Sequence, residues 1–325
     1  MKNKKTKVNK NTKCLYCYSE LNGDEIDFHA ACSKKIFEAP VPPKLNYTVD
    51  QIFELAEQVV KSQATVTGVQ AKLSLHVERP SRGGNEPKRF AIVGLWGRYT
   101  LKPATDEYQS MPELEDVTMH LAEIAGISTV PHSLIRLKSG ELAYITKRVD
   151  RDKKSKLHME DMCQLTERLT EDKYRGSHEQ VGKALLKYSE NPGLDLLNYF
   201  EQVVFAFLTG NADMHLKNFS MLDTPGLGYT LCPAYDMVAS ALVVLDDNEE
   251  LALTLNGKKS NLLRKDFEEA MDRFDIDDKA RVNMFNGFAD KIDEWHNMIG
   301  ASFLSWEMQD DYIQLIGQRA KRIIL

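Results

Sequence analysis

The sequence predicts an α+β chain built as a small strand-rich lobe followed by a helical lobe, and three observations carry that prediction. Its 325 residues, 42% of them apolar, suffice for about two domains that each bury a core. Short apolar runs bounded by glycine turns crowd between Leu73 and Thr146, which is how strands read. From about residue 195 the apolar side chains recur at helical spacing instead, and beyond Leu262 nothing else is suggested. These shifts divide the chain into a Cys/His-bearing segment (1–44), a strand-rich lobe (45–150) and a helical lobe (151–325).

The elements follow in order. The first thirteen residues carry six lysines and no acid. With no apolar run behind them they read as a solvated tail, not a signal peptide, and so predict a cytoplasmic address. Pro40, Pro42 and Pro43 close the first segment, because clustered prolines disfavour helix and stiffen a connector. Thr48 and Gln51 have capping-box spacing, and Ile52, Leu55, Ala56, Val59 and Val60 then share a face, which predicts a helix over about 50–62. Strands are predicted at Leu73–Glu78, Phe90–Val93, Tyr99–Leu101 and Leu142–Thr146, with turns at Gly83-Gly84, Gly97 and Ser139-Gly140. One helix interrupts them, with Leu114, Val117, Leu121 and Ile124 on one face and Gly126 as its C-terminal cap. A helix from 195 to Leu208 runs into an irregular polar loop, Thr209–Asn218, and strands follow around Phe219–Leu222 and Tyr229–Leu231.

Several function classes fall away. No window approaches the ~18 consecutive apolar residues of a membrane-spanning helix, so a soluble protein without a membrane partner is expected. Setting aside the six lysines of the tail leaves 36 basic against 48 acidic side chains, a charge of −12, which repels a phosphate backbone and argues against direct nucleic-acid binding. Five cysteines, two of them isolated at Cys163 and Cys232, make no secreted disulfide framework.

Phosphoryl transfer from ATP needs a cation on the phosphates, a carboxylate to hold that cation, metal ligands and a base for the attacking hydroxyl. Each has a candidate here, in the order a kinase uses them. Asp213 and Asn218 have the D-x-x-x-x-N spacing of a catalytic base and a magnesium ligand. Eighteen residues later Asp236, just beyond a predicted strand, stands where a second metal-binding carboxylate belongs, although Met237 and Val238 replace the usual Phe and Gly. Upstream, Lys102 follows the short strand Tyr99–Leu101, and Glu115 lies thirteen residues further on inside the interrupting helix, the spacing of a phosphate-gripping lysine and its partner. Taken singly, Asn211 and Asp213 are also ordinary turn residues, Lys102 an edge-strand gatekeeper and Glu115 a solvated helix charge. Five roles in order on suitable elements favour the active site. No G-x-G-x-x-G precedes Lys102; Thr65–Ser74 takes its place, where Gly68 could let backbone amides converge on phosphate with help from Lys72, or could simply turn helix into strand.

These residues resemble the HipA-type toxin kinases of bacteria. The resemblance rests on Gly210-Asn-Ala-Asp-Met-His-Leu-Lys-Asn-Phe-Ser220, Leu231-Cys-Pro-Ala-Tyr-Asp236, Leu101-Lys-Pro103, Glu113-Leu-Glu115, Thr146-Lys-Arg-Val-Asp-Arg151 and Glu160-Asp-Met-Cys-Gln164, and runs from about residue 45 to the end. The chain is similar to the shorter HipT-like form, whose extra N-terminal subdomain is a separate protein. The resemblance implies a bilobal protein-kinase-like fold and a Ser/Thr kinase using ATP and Mg2+, with Asp213 as base, Asn218 and Asp236 on magnesium, and Lys102 paired with Glu115. It implies an adenine-contacting hinge at Lys147, Arg148 and Val149, where Lys147 and Val149 replace the family's usual Glu and Phe. It also implies autophosphorylation in the phosphate loop, at Thr65 and Thr67 here. A phosphate there, adding roughly −1.5 to −2 charges, would eject the loop from an anionic nucleotide site. The implied partners are a protein substrate such as an aminoacyl-tRNA synthetase, a HipB-like helix-turn-helix antitoxin and a small HipS-like subunit. The alternative is a catalytically inactive kinase fold that binds such an antitoxin as co-repressor.

Cys14-x2-Cys17 followed by His29-x2-Cys32 supplies four soft ligands in two close pairs, which can close a tetrahedral Zn2+ site and fold a segment too small for its own core. Reduced thiols on a partly packed segment are the other reading. A zinc-bearing nucleic-acid adaptor would rest on this segment alone and conflicts with the acidic body. His158-x-Glu160 lacks the downstream Cys pair of a zinc deaminase. His215 is expected to be a satisfied structural histidine beside Asp213, and Trp295 and Trp306 core or helix-packing residues.

Overall fold

The structure, a computed structural model, describes residues 12–55, 72–78, 88–93, 96–105, 108, 110–152 and 155–324. Two compact bodies emerge, Met1–Ala104 with Pro131–Lys147, and Thr105–Val130 with Arg148–Leu325.

The first unit is organised on a five-stranded antiparallel sheet of order β2-β1-β3-β5-β4, from β1 (Leu73–Glu78), β2 (Arg89–Val93), β3 (Tyr99–Pro103), β4 (His132–Arg136) and β5 (Leu142–Lys147). Alternation in β1 sends Leu73 and Leu75 into the core, and the register sets Leu75 against Tyr99 and Leu101 against Ile145. Because β3 pairs with both β1 and β5, Lys102 lies on a central strand and is no edge gatekeeper. The sequence reading missed β4, whose residues are all buried except Arg136, so it shows no alternation. On its outer edge Leu15 O accepts from Leu134 N–H (3.3 Å) and from Ser133 Oγ (3.2 Å), which satisfies one backbone donor of that edge. Helix α1 (Ala30–Phe37) adds Phe37 to an edge-to-face cluster with Phe28, Phe90 and Tyr99. A helix, α2, covers 49–55, and its capping box is present, with Thr48 N–H on Gln51 Oε1 (3.0 Å) and Gln51 N–H on Thr48 Oγ1 (3.4 Å). The rest of the helix expected to about 62, and the Gly83-Gly84 turn, lie outside the described residues.

The second unit is mainly helical. Helix α3 (Met111–Ile124), which composition alone assigns to the strand-rich zone, clusters here. Its Leu121 O accepts the indole N–H of buried Trp295 (2.9 Å), and Thr118 Oγ1 bonds Tyr312 OH (2.9 Å). Gly126, at φ +87°, ends it in a Schellman motif, with Ile127 N–H on Ala122 O and Gly126 N–H on Glu123 O. After it come the short strand β6 (Met159–Asp161), absent from the sequence reading, and α4 (Met162–Leu165), α5 (His178–Tyr188) and α6 (Pro192–Leu208). Strand β6 pairs with β7 (Ser220–Thr224), which pairs with β8 (Gly228–Leu231). Four helices finish the chain, α7 (Arg264–Asp272), α8 (Asp278–Ala289), α9 (Ile292–Ala301) and α10 (Trp306–Ile323). Trp295 is core, but Trp306 is 74% exposed at the start of α10, so of the core or helix-packing roles expected of the two, the core one holds for Trp295 alone. Among the described residues no helix is long and apolar enough to cross a membrane.

Candidate active site

Helix α6 is apolar almost all round and buried along its last two turns, which makes it a rigid post for the loop that follows. Thr209 Oγ1 donates back to Phe205 O (2.8 Å), and Gly210 then turns at φ +69°, where a Cβ would meet Leu315 Cδ2 at 2.5 Å. Backbone bonds hold the loop's path: Asn211 N–H on Ala206 O (2.8 Å), Ala241 N–H on Gly210 O (3.0 Å) and His215 N–H on Asp213 O (2.8 Å). Ser240 Oγ accepts from Ala212 N–H (2.9 Å). Asn211 is the turn residue its type suggests, since its Oδ1 accepts from Asp213 N–H at 3.3 Å.

This loop presents Asp213 half-buried and buries Asn218. The β7–β8 hairpin then returns the chain, and Tyr235 OH ties the return to the loop by donating to Lys217 O (2.9 Å) and accepting from Ser220 Oγ (2.6 Å). Asp236 follows in the left-handed region at φ +61°. Such a conformation costs a non-glycine residue about 1 kcal/mol or more and concentrates at functional sites. Asn218 Nδ2 reaches Asp236 O at 3.5 Å, while Asn218 Oδ1 is buried without a hydrogen-bond partner. The second unit thus brings Asp213, Asn218 and Asp236 into one neighbourhood.

Two neighbours of Asp213 complete it. Tyr174 OH donates to Asp213 Oδ1 at 2.5 Å, and burial together with that bond holds the phenol above its ordinary range, so it remains a donor at neutral pH. The sequence reading missed Tyr174, which lies 39 residues upstream of Asp213 in an irregular segment and carries no motif. His215 packs edge-on to the Tyr174 ring at 5.0 Å. Its imidazole is pushed down by burial, against the opposing charge of Asp213, and its Nδ1 is buried without a partner. The satisfied histidine expected there is therefore not what the structure holds.

Glu115 and Asp116 are buried in the second unit, so the solvated-face reading of that pair fails. Lys102 is buried in the first unit with its ammonium 5.5 Å from the centroid of the Tyr144 ring. Lys147 ends β5; its N–H donates to Pro131 O (2.8 Å) and its ammonium pairs with Glu38 at 2.5 Å. Arg148 makes a two-pronged pair with Asp150, at 2.9 and 2.8 Å, and Val149 connects the two. Thr65, Thr67 and Gly68 lie outside the described residues. In the first unit, one donor atom from each of Cys14, Cys17, His29 and Cys32 lies within 4.8 Å of the others.

A family model described as the HipA-like C-terminal domain matches residues 64–296. A Haemophilus influenzae protein named as a candidate kinase is 28% identical over 211 residues, 61% of this chain and 58% of that protein. The serine/threonine-protein kinase toxin HipA of Shewanella oneidensis is 27% identical over 216 residues, 60% of this chain and 47% of its own. The chain spans about half the length of the curated relatives it matches. Among solved structures, the Shewanella oneidensis complex of HipA, HipB and operator DNA contains a chain that superposes with a TM-score of 0.66 at 20% identity, over 80% of this chain and 65% of that one. The Helicobacter pylori proinflammatory kinase CtkA gives 0.51 at 17% identity, over 70% and 87%. Both likenesses are of fold, and the fold is the kinase-like α+β one. With the matched stretch taking in α3, the Asp213 loop and Asp236, and covering well over half of its residues, the chain belongs to the HipA-like C-terminal domain family.

Proposed function

We propose that this chain is an ATP- and magnesium-dependent Ser/Thr protein kinase acting as the toxin of a bacterial toxin–antitoxin pair. The observation that supports this most is Asn218 Oδ1, a buried acceptor left without a partner next to the left-handed Asp236. An unpaired buried acceptor costs about 1–3 kcal/mol, a cost that a bound cation would offset. Amide and carboxylate oxygens are what a hard divalent cation prefers, so Asn218 and Asp236 fit magnesium. When bound, the ion would offset the charge developing on the phosphoryl oxygens.

The chain's own residues supply the rest. Tyr174 holds Asp213 Oδ1, which leaves Oδ2 to accept the proton of a substrate Ser or Thr hydroxyl as its oxygen attacks the γ-phosphorus and ADP departs. Lys102 is proposed on the phosphates with Glu115 as its partner, and Lys147–Val149 at the adenine, on the sequence order that singled them out. Autophosphorylation is proposed at Thr65 or Thr67. The complex of Shewanella HipA with HipB supports a HipB-like antitoxin as partner, and the family resemblance supports a protein target of the aminoacyl-tRNA synthetase class.

The test is incubation with labelled ATP and magnesium, comparing the chain with Asp213→Ala. Label is expected on the unmodified chain alone, with peptide mapping at Thr65 or Thr67. Label on neither chain, with the antitoxin still bound, would replace the kinase by a catalytically inactive binding module.

A further inference from the structure

We infer that Cys14, Cys17, His29 and Cys32 form a structural zinc site that fastens the N-terminal segment onto the edge of the five-stranded sheet. Geometry carries the inference first. With Zn–S at about 2.3 Å and Zn–N at about 2.0–2.1 Å, a tetrahedral site has S···N edges of about 3.6 Å and S···S edges of about 3.8 Å. His29 Nδ1 lies 3.4 Å from Cys17 Sγ and 3.7 Å from Cys32 Sγ, and all four donor atoms fall within 4.8 Å of one another. Both S···N distances match the edges that zinc requires, and the four donor atoms are close enough to share one ion. None of the three cysteines is in a disulfide, and Cys14 and Cys32 are buried.

The surroundings are those of a ligand set. His29 Nε2 sits 3.0 Å from Glu20 O; donating that N–H selects the tautomer whose Nδ1 lone pair faces the sulfurs, the device by which metal-bound histidines are oriented. Tyr18 N–H returns to Cys14 O (2.9 Å), and Tyr18 at φ +62° turns the Cys14–Cys17 segment back on itself. The other pair comes from a helix start, with His29 the N-cap of α1 and Cys32 within its first turn. Three thiolates and a neutral imidazole close all four positions, as in structural zinc sites, and leave none for a substrate.

Neighbouring residues show what the ion fastens. Next to Cys14, Leu15 O takes two bonds from β4 and Leu15 N–H donates to Asp27 O (2.7 Å). Asp27 in turn accepts from Arg136 Nε of β4 at 3.0 Å. At the far end of α1, Ile36 O accepts from Tyr99 OH (3.1 Å) and Glu38 pairs with Lys147. A turn and a two-turn helix have little core of their own, and metal binding is a known substitute for one. The inference is independent of the proposed kinase activity.

The test uses the full chain, purified without chelator. Elemental analysis is expected to find about one zinc ion per chain. After chelation, titration with cobalt is expected to saturate at the same ratio, with the visible bands of a tetrahedral thiolate site. Cys32→Ser and His29→Ala are expected to lower zinc affinity at least tenfold, as loss of ligand-shell groups does, while His29→Cys, which supplies a fourth thiolate in place of the imidazole, retains metal and tetrahedral cobalt bands, shifted toward those of a four-thiolate site. Hydrogen exchange at Leu134 should accelerate when the metal is stripped. Should Cys32→Ser fail to fold, the cobalt titration of the unmodified chain still decides. A full chain that neither contains zinc nor takes up cobalt, or one in which two of the three cysteines are found as a disulfide, overturns the inference.

Discussion

Asn218→Ala separates a residue kept for the fold from one kept for a ligand. Asn218 is only 3% exposed, and truncating a buried, bonded polar side chain ordinarily destabilises. Among the described residues its one side-chain hydrogen bond, Nδ2 to Asp236 O, is at 3.5 Å, where a hydrogen bond contributes little. Its Oδ1 has no partner, and removing an unpaired buried acceptor relieves about 1–3 kcal/mol. Subtracting the weak Nδ2 bond and the small packing loss leaves a net stabilisation of about 1 kcal/mol, or an upward shift of about 2–4 °C in Tm for a body of 150–250 residues. The opposite holds once nucleotide and magnesium are present. At a ligand concentration about 100 times Kd, a chain that binds gains about 2.7 kcal/mol, and the variant is expected to gain much less and to transfer no label. Thermal melts in chelator and in excess Mg-ATP, read beside a labelled-ATP assay, give all three quantities. A variant that melts several degrees below the unmodified chain in chelator, or that phosphorylates at the unmodified rate, would refute the assignment of Oδ1 to a metal.

Tyr174→Phe removes the donor on Asp213 Oδ1; a hydrogen bond to a charged group contributes about 1.5–3 kcal/mol, so kcat should fall about 10- to 100-fold with KM for ATP little changed, and an unaltered kcat would remove Tyr174 from the site. Asp213→Ala should abolish labelling, and with it any growth arrest that expression causes. His178, whose Nδ1 meets Tyr199 OH at 2.7 Å, is held down at about 3 by burial. Only the unfolded chain then takes up the proton, so stability is complete above about pH 6.5 and declines as pH falls toward 3, by about 1.4 kcal/mol per pH unit. His178→Gln should flatten that decline in acid denaturation curves, whereas an unchanged slope would assign it to other groups.

Much of the fold was legible because local signals agreed with the global packing. The capping box at Thr48 and Gln51, the face of α3 with its glycine stop, and the strands β1, β3, β5, β7 and β8 each follow from spacing of two or 3.6 and from turn chemistry. Strand β4 escaped because His132 through Ile135 are all buried, and periodicity cannot report a strand with no wet face. Strand β6 is three residues long, too short for any pattern. Tyr174 escaped for a different reason: its role is a contact across 39 residues, and no local rule addresses such a separation.

Composition and order were enough to name Asp213, Asn218 and Asp236 as candidates, because the chemistry of phosphate and magnesium restricts residue types and the chain order of their supporting elements restricts spacing. They could equally offer the Cys14-Cys17 and His29-Cys32 pairs, since ligand spacing within a pair is a local property. Whether the two pairs converge, which oxygen of Asp213 is engaged, and that Asn218 Oδ1 lies buried without a partner depended on long-range packing. Those are statements about distances between residues remote in the chain, and the energies that set them belong to the assembled core and to no single segment.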